Sequence, residues 1–534
     1  MLYFIPAWYQ QNRWRESEQS WYTRRMHTEF DDTVKQVQLF ARSGMTDYKI
    51  LLLSYTPNFR HFLHRQGVFH APYWSCFDAI QEVTRKKITI FSFHNLDWPK
   101  NIEFVYTPFS VLAFLNGKKY AQIEFGEAGN PIEVLMYEGD LLVRRNIYDD
   151  RGFVSATEVY DAGVLKYTDF LTEKGIRKMR QFADSGKVEI NSKHNTFLIA
   201  GKGKIQHRIF EKTHYDNISE VILEVLNSHL ENDGGGDIFC IAAHELNFIA
   251  AKEIIKTKKC IFSFYGERYK IGTVPADGEL IDKAAYLITD SEATTKYLIR
   301  DLNRQIDNVI DITPYDSRMD FGISQELTIQ NILVPVDDLP EDRFNELIGK
   351  LAEYVQTNEN AMVHIFTRNA EYDLPDRLLD MVAGILDNAG YDRRMAIAEQ
   401  IDETAENDLD DEETDEVPVR FFVDQCVDEL SVSKCIREQR IMVDMRHYPD
   451  LYLQINCIST AIPQIVRRKT QYIKDGENGF IVQDISKVIE SIDYFLGTLS
   501  NWNKAKVCSY ELGQQFTTKK LLEKWKMVMG AIYE

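Results

Sequence analysis

The stretch Leu453–Val482, LQINCISTAIPQIVRRKTQYIKDGENGFIV, decides how the rest of the chain is read. An apolar run ends at Pro463. A short strand follows over Gln464–Val466, and Asp475-Gly476-Glu477-Asn478-Gly479 then supplies a turn. Proline cannot continue a helix, and D-G and N-G pairs are turn formers, so the order is helix, strand, turn. Upstream the same alternation recurs. Asn331–Val336, Met362–Thr367, Val419–Val423 and Arg440–Asp444 read as buried strands, and helical patterns cover Glu341–Val355 and Pro375–Asn388. Strands and helices alternating at this spacing predict a parallel, doubly wound sheet. The end, Leu496–Tyr533, reads as helical, with Trp502, Leu512, Phe516, Leu522 and Trp525 on apolar faces.

The first part has the same grammar with an interruption. Tyr3–Ile5, Ile50–Leu53 and Ile88–Phe93 read as buried strands, with helices at Glu29–Ala41 and Ser75–Lys86. The pattern resumes at Asp237–Ala242, Cys260–Phe264, Ala285–Thr289 and Val309–Ile312. Between them, Tyr120–Phe125, Ile132–Tyr137, Leu141–Tyr148, Phe153–Tyr160 and Val164–Thr168 alternate and are separated by Asn-Pro and Gly-containing turns. That is an antiparallel β insertion. The expected division is 1–98 and 213–325 for one Rossmann-like domain, 99–212 for the insertion, and 326–534 for a second Rossmann-like domain with an acidic loop at 392–417. No internal repeat is visible.

At 534 residues, the chain is too long for one core. No apolar run reaches the ~20 residues of a membrane span, and no signal peptide is visible at the start. Seven cysteines without a C-x-x-C pair predict free thiols in a cytoplasmic protein and no zinc site. The net charge of −20 argues against nucleic acid as a partner. Asp402–Glu416 alone holds ten acids and no bases, which reads as a solvated loop or a surface for a basic partner.

Two Rossmann-like domains, a β insertion in the first and the Leu453–Val482 pattern together resemble the GT-B glycosyltransferases. The fold class expected is α/β, GT-B-like. The start YFIPAWY, the segment ITDSEATTKYL and LQINCISTAIPQI are similar to the first of the accessory secretory proteins encoded beside the glycosyltransferases of serine-rich-repeat adhesins. That resemblance implies export rather than sugar transfer. Its partners would be two sister accessory proteins, one carbohydrate-binding-module-like and one hydrolase-like, together with the glycosylated adhesin and a SecA-type motor. The place implied is the cytoplasm, with peripheral contact to phospholipid at the inner face of the membrane.

In active GT-B enzymes the helix start reads roughly E-A-x-S-x-G-x-P. This chain keeps Ser459, Pro463 and the D-G-x-N-G run but has Asn456 for the acid, Ala461 for the glycine and Tyr448 for a second acid eight residues upstream. Where arginine and lysine would meet the donor diphosphate, Asp337 and Asp342 stand. Anions there repel a diphosphate that cations would bind. No catalytic residue, metal ligand or cofactor is therefore assigned. The degenerate donor region is expected to contain His244, Arg368, Gln454, Asn456, Ser459 and Arg467, each readable also as a cap, turn or strand-end residue. Arg467, Arg468 and Lys469 could mark a residual anion site. His244 would lie near the cleft between the domains, as a cap or as a donor contact. Trp8, Trp14 and Trp21, interleaved with arginines, read either as packed aromatics or as a contact for a partner, a glycan or lipid headgroups. Two rival functions stay open: an active UDP-sugar-dependent glycosyltransferase acting on the adhesin, and a regulatory partner of one.

Overall fold

A computed structural model describes the chain except residues 11–12, 17–19, 23–29, 202–203, 232–235, 398–416 and 534. The acidic run Asp402–Glu416 therefore lies outside the described residues, as do Arg24 and Arg25. Contacts divide the chain into two compact units. Met1–Asp290, Thr294–Pro314 and Trp525–Glu534 form the first, and Ser291–Ala293 with Tyr315–Lys524 form the second. The end of the last helix, Thr518–Tyr533, belongs to the first unit because Trp525, 1 % exposed, packs edge-on against Phe4 and Phe40 at 6.0 and 5.4 Å. Its apolar face is plain in the sequence; what it packs against is not.

The first unit is built on a seven-stranded parallel sheet in the order Val309–Asp311, Tyr286–Thr289, Lys259–Phe264, Ile238–Ala242, Leu2–Ile5, Tyr48–Leu52, Tyr73–Ser75. Strand order reverses between Leu2–Ile5 and Ile238–Ala242, the place where doubly wound sheets bind ligands. One expectation fails here. Ile88–Phe93 is not a strand: Ile90 is 94 % exposed, and the sheet takes Tyr73–Ser75 at that edge instead. A short β-branched run forms a strand only when a neighbour supplies the ladder. The helix read over Ser75–Lys86 is likewise only Cys76–Ile80, capped by the Ser75 hydroxyl.

The insertion is a ten-stranded antiparallel sheet running from Ile102–Tyr106 to His214–Tyr215. All five strands read from the sequence are present; Ile102–Tyr106, Val111–Leu115, Arg177–Phe182, Val188–Ile190 and His214–Tyr215 were not read. A hairpin, Thr196–Gly201 with Lys204–Ile209, stands apart from this sheet.

A buried ion cluster fastens the insertion to its host. The hairpin turn Asp149-Asp150-Arg151 is at most 3 % exposed. Arg151 reaches Asp149 at 2.7 Å and Asp78 at 2.7 Å, while Arg60 bonds Asp150 and lies 3.4 Å from Asp149. Burial pushes the Asp149 carboxyl up, but Arg60 and Arg151 outweigh it and hold it below its ordinary range.

The second unit carries a six-stranded parallel sheet in the order Phe421–Gln425, Ala361–Thr367, Gln330–Pro335, Gln439–Asp444, Gln464–Val466, Gly479–Ile481. Its order reverses between Gln330–Pro335 and Gln439–Asp444. The apolar faces of helices Glu341–Thr357 and Leu374–Ala389 fill its core with Leu347, Ile348, Leu351, Val382 and Leu386, all fully buried.

Candidate functional site

The carboxyl ends of the strands flanking the second unit's reversal point are occupied by the chain's own side chains. Just beyond Gln330–Pro335, Asp337 accepts hydrogen bonds from the Thr367 hydroxyl at 2.5 Å and the Arg368 backbone N–H at 2.8 Å. The Arg368 guanidinium pairs with Asp450 at 2.8 Å, both side chains being about 15 % exposed at 14 % and 16 %, and lies over the Tyr452 ring. Asp450 in turn caps the helix Leu451–Thr460, accepting from the N–H groups of Tyr452 and Leu453 at 2.9 and 3.0 Å. Beyond Gln439–Asp444, Arg446 forms a buried bidentate pair with Asp444, both contacts at 2.8 Å.

This arrangement works against an anionic ligand. A helix N-terminus attracts anions through its unpaired N–H groups. Here those of Leu451–Thr460 are taken by a carboxylate, and Arg368 is committed to that carboxylate. The helix Glu341–Thr357 opens with two exposed acids, Glu341 and Asp342, which complement its own dipole and repel an added anion. Tyr448 is 51 % exposed and stacks edge-on against His447.

The other residues expected at the donor region bond within the fold. Gln454 is fully buried and accepts from the Thr470 hydroxyl at 2.7 Å. Asn456 donates to the Tyr452 carbonyl one turn back at 2.7 Å. Ser459 donates to the Ile455 carbonyl at 2.9 Å and accepts from the Arg318 N–H at 3.2 Å. Ala461 ends the helix at φ +59°, in the left-handed region that favours glycine, so the usual glycine answers a conformational need.

The turn run is structural as well. Asp475 accepts from the Ile481 N–H at 2.9 Å, and Gly476 has φ +80°. Asn478 is fully buried, accepting from the Lys474 N–H at 2.7 Å and donating to the Tyr472 carbonyl at 2.9 Å. Gly479 is not a turn residue: it pairs with Gln464 in the sheet, and a Cβ there would fall inside the Gln464 carbonyl. Ser459, Asp475, Gly476, Asn478 and Gly479 thus each have a use in folding.

Arg467 stands apart. Its guanidinium is held below ordinary basicity by burial and by the nearby charges of Arg343 and Arg468. Among the described residues, none of the three forms an ion pair with a carboxylate, although the Asp484 carboxyl is lowered by Ser486 and, from a distance, by Arg343, and Arg468 bonds the His447 ring at 2.9 Å. Arg467 and Arg368 therefore do not act together: one joins a cation cluster, the other an ion pair.

In the first unit the reversal point is also filled. Asn247, fully buried, accepts from the Tyr9 hydroxyl at 2.6 Å and donates to the Ala242 and Pro6 carbonyls at 2.8 and 3.2 Å. Tyr9 thus lies where a glycine-rich loop would leave room for phosphate. His244 caps the helix Glu245–Ile254, accepting from the Leu246 N–H at 3.2 Å, and its ring packs on Tyr9. Arg268 closes the same end by bonding Asp31 at 3.0 Å, Asp32 and the Ala243 carbonyl at 2.9 Å.

The expectation of a tryptophan contact surface is corrected for two of its three members. Trp8 and Trp14 are each 6 % exposed, with their indole N–H groups on Asp31 and Ser219 at 2.9 and 2.8 Å. Both pack with other buried aromatics of the first unit, Trp8 on Phe59 and Trp14 on Tyr9. Trp21 is 46 % exposed and stacks on Phe109, itself 51 % exposed.

A pH dependence follows from the buried imidazoles. Burial, then Arg268, pushes His244 down to about 4; burial, then Lys49 and Lys258, does the same to His229. The unfolded chain takes up these protons near pH 6.5 and the folded chain only near 4. Their contribution is complete above about pH 6.5 and is lost as pH falls toward 4. His244→Asn keeps a capping side chain that does not titrate. Thermal unfolding from pH 7 to 5 should show a smaller fall in Tm for this variant than for the parent; equal falls would contradict the assignment.

The chain matches the model of the family described as accessory Sec system protein, first Asp type, over residues 1–531. It belongs to that family. The protein of this family from Streptococcus gordonii is 29 % identical over 534 residues, covering 98 % of each chain. The solved Glycosylation Associate Protein (Gap123) complex from Streptococcus agalactiae contains a chain 26 % identical with a TM-score of 0.79, covering 98 % of this chain and 99 % of that one. The pneumococcal O-GlcNAc transferase GtfA, solved with UDP and GlcNAc, is 13 % identical with a TM-score of 0.69, covering 100 % of this chain and 99 % of that one. The last likeness shows the GT-B fold alone.

Asp450 and Asn247 hold the two strand ends just described and were not singled out by sequence. Asp450 was findable, since an acid directly before an apolar helical run is a capping signal. Asn247 carried no signal: two of its three partners, Tyr9 and Pro6, lie more than 200 positions away in the chain.

Proposed function

We propose that the protein is a non-catalytic, glycosyltransferase-like component of accessory Sec export that escorts glycosylated serine-rich-repeat adhesin to a SecA-type motor and membrane channel. The observation that supports this reading is the strand end of the second unit, where Asp337 bonds the Arg368 backbone and the Arg368 guanidinium pairs with Asp450. A GT-B enzyme must stabilise a leaving diphosphate with cations or helix N-termini, and here Asp450 already neutralises the Arg368 cation and the N-terminus of Leu451–Thr460. Two sister proteins are its partners in this reading. Support comes from the pneumococcal structure of accessory secretory protein 1, 2 and 3, whose matching chain has a TM-score of 0.79. The protein works in the cytoplasm in this account, with peripheral contact to membrane phospholipid. Among the described residues, no helix is long and apolar enough to cross a membrane.

The adhesin contact is assigned to the exposed aromatics of the first unit. Trp21 and Phe109 stack, and Tyr22 packs on Phe109 at 5.3 Å. Flat, exposed rings of this kind suit sugar faces and dominate interface energetics. Trp21→Ala with Phe109→Ala should weaken binding of glycosylated adhesin about 30-fold, the equivalent of ~2 kcal/mol, with an unchanged Tm. Surface plasmon resonance on immobilised adhesin measures this. Undiminished binding by a folded double variant would remove these residues from the account.

A further inference from the structure

Lys204–Ile209, the outer strand of the hairpin that stands apart from the ten-stranded sheet, pairs with Thr196–Gly201 alone. It runs for six residues, longer than any outer strand of the three larger sheets. Its phase is fixed by one bond: the Phe210 N–H donates to the Asn195 carbonyl at 2.9 Å. Bonded pairs alternate with unbonded ones along an antiparallel ladder. Lys204, Gln206 and Arg208, opposite Gly201, Ile199 and Phe197, therefore turn their backbone N–H and C=O groups inward. The backbone groups of Ile205, His207 and Ile209 point to the open side, and none of them bonds another described residue.

This edge is anchored from behind. The Thr196 hydroxyl donates to Glu82 at 2.6 Å, and the His207 ring bonds the same oxygen at 2.8 Å. Lys178, fully buried, lies 3.0 Å from the other oxygen. Phe197 is fully buried against Phe210, with ring centres 4.7 Å apart. Beyond those anchors the strand is open: all of residues 205–209 are exposed, Ile205 at 61 % and Ile209 at 64 %. Folded proteins commonly guard such an edge with proline, a bulge or a charge. Here there is no proline, the register is unbroken, and Arg208 is engaged by Glu231 at 2.7 Å.

We propose that the edge Lys204–Ile209 pairs antiparallel with the same edge of a second copy of this chain, joining the two hairpins into one sheet about a two-fold axis at His207. Ile205 of one copy then faces Ile209 of the other, His207 faces its counterpart, and Gln206 faces Arg208. In this register outward residues meet only outward residues, and each pair exchanges two bonds, about six in all. A slip by one residue would set outward groups against inward ones. Ile205 and Ile209 lie on one face of their strand and meet across the join, where β-branched pairs stabilise a ladder. No two cations stand opposite, since Arg208 faces Gln206 and Lys204 faces Phe210. Each His207 ring stays on Glu82 of its own copy. A two-fold join uses every contact twice, and this edge matches itself without a change of register; that selects a second copy over a foreign strand. An edge this short falls below the ~1,200 Å² of a standard interface, so the dimer is reversible. The proposal does not depend on adhesin escort.

The test is sedimentation velocity of the full chain under reducing conditions, across a series of micromolar concentrations. A monomer–dimer equilibrium that shifts with concentration is expected. Ile205→Pro removes one outward N–H and keeps the inward ladder bonds, while Ile209→Lys places a charge at an exposed position. Each change acts at both ends of the join, so each should raise the dissociation constant about 10-fold or more at an unchanged Tm. Register is read by mixing a Gln206→Cys chain with an Arg208→Cys chain. On mild oxidation the mixture should form a disulfide between copies far faster than either chain alone. A chain that stays monomeric throughout overturns the proposal and leaves the edge to a strand of another protein. A dimer that both folded variants retain in full, or cross-linking at equal rates in the mixture and in each chain alone, overturns it as well.

Discussion

A Gly479→Ala chain is expected to be destabilised by about 3 kcal/mol or more, enough to abolish much of a typical domain's stability. Gly479 pairs with Gln464 across parallel strands. A methyl there would overlap the Gln464 carbonyl oxygen and stand 3.1 Å from its carbonyl carbon and 3.4 Å from its nitrogen. Those are backbone atoms of the neighbouring strand and cannot rotate aside. Relief requires the strands to part, at the cost of the ladder and of the buried Asn478 bonds beside it. Urea unfolding measures the loss. A midpoint within experimental error of the parent would show that the motif is not held by packing. The result bears on function, because a glycine kept by a backbone clash says nothing about sugar binding.

The second large effect is expected for Arg151→Ala. Removing one partner of a buried charge cluster leaves the others uncompensated, typically at a cost of ~3–5 kcal/mol. Arg151 bonds both Asp149 and Asp78, and Arg60 cannot serve all three acids, since it is already engaged with Asp150 and the Pro57 carbonyl. The loss should fall on the join between the insertion and its host, so limited proteolysis should release fragments cut near residues 84–92 before the parallel sheets are attacked. A double change, Arg151→Met with Asp149→Asn, should recover part of the stability by lowering the charge left unpaired. An unperturbed Arg151→Ala chain would mean that water replaces the guanidinium.

How much of this was legible in the sequence depends on the range of each interaction. The alternation of strand and helix, and the five best-patterned insertion strands, come from local periodicity and are present as read. The D-G-x-N-G turn was legible, but its last glycine was misread as a turn residue because the clash that requires it involves Gln464, fifteen positions earlier. Asp337 and Asp342 are plain in the sequence; the Arg368–Asp450 pair joins residues 82 positions apart and left no local trace. Trp8 and Trp14 look in sequence like Trp21, since composition does not record that two indoles turn inward. Ile88–Phe93 has a strand's composition without a neighbour to pair with.

The central claim, that this glycosyltransferase-like chain handles adhesin without modifying it, is tested most directly by intact mass spectrometry. Glycosylated adhesin would be incubated with the purified protein and UDP-N-acetylglucosamine or UDP-glucose, with and without divalent metal, and then weighed. The account predicts an adhesin mass that does not change in any arm. An increase by whole hexose or N-acetylhexosamine units, absent when the nucleotide sugar is omitted, would contradict it and make the protein an enzyme.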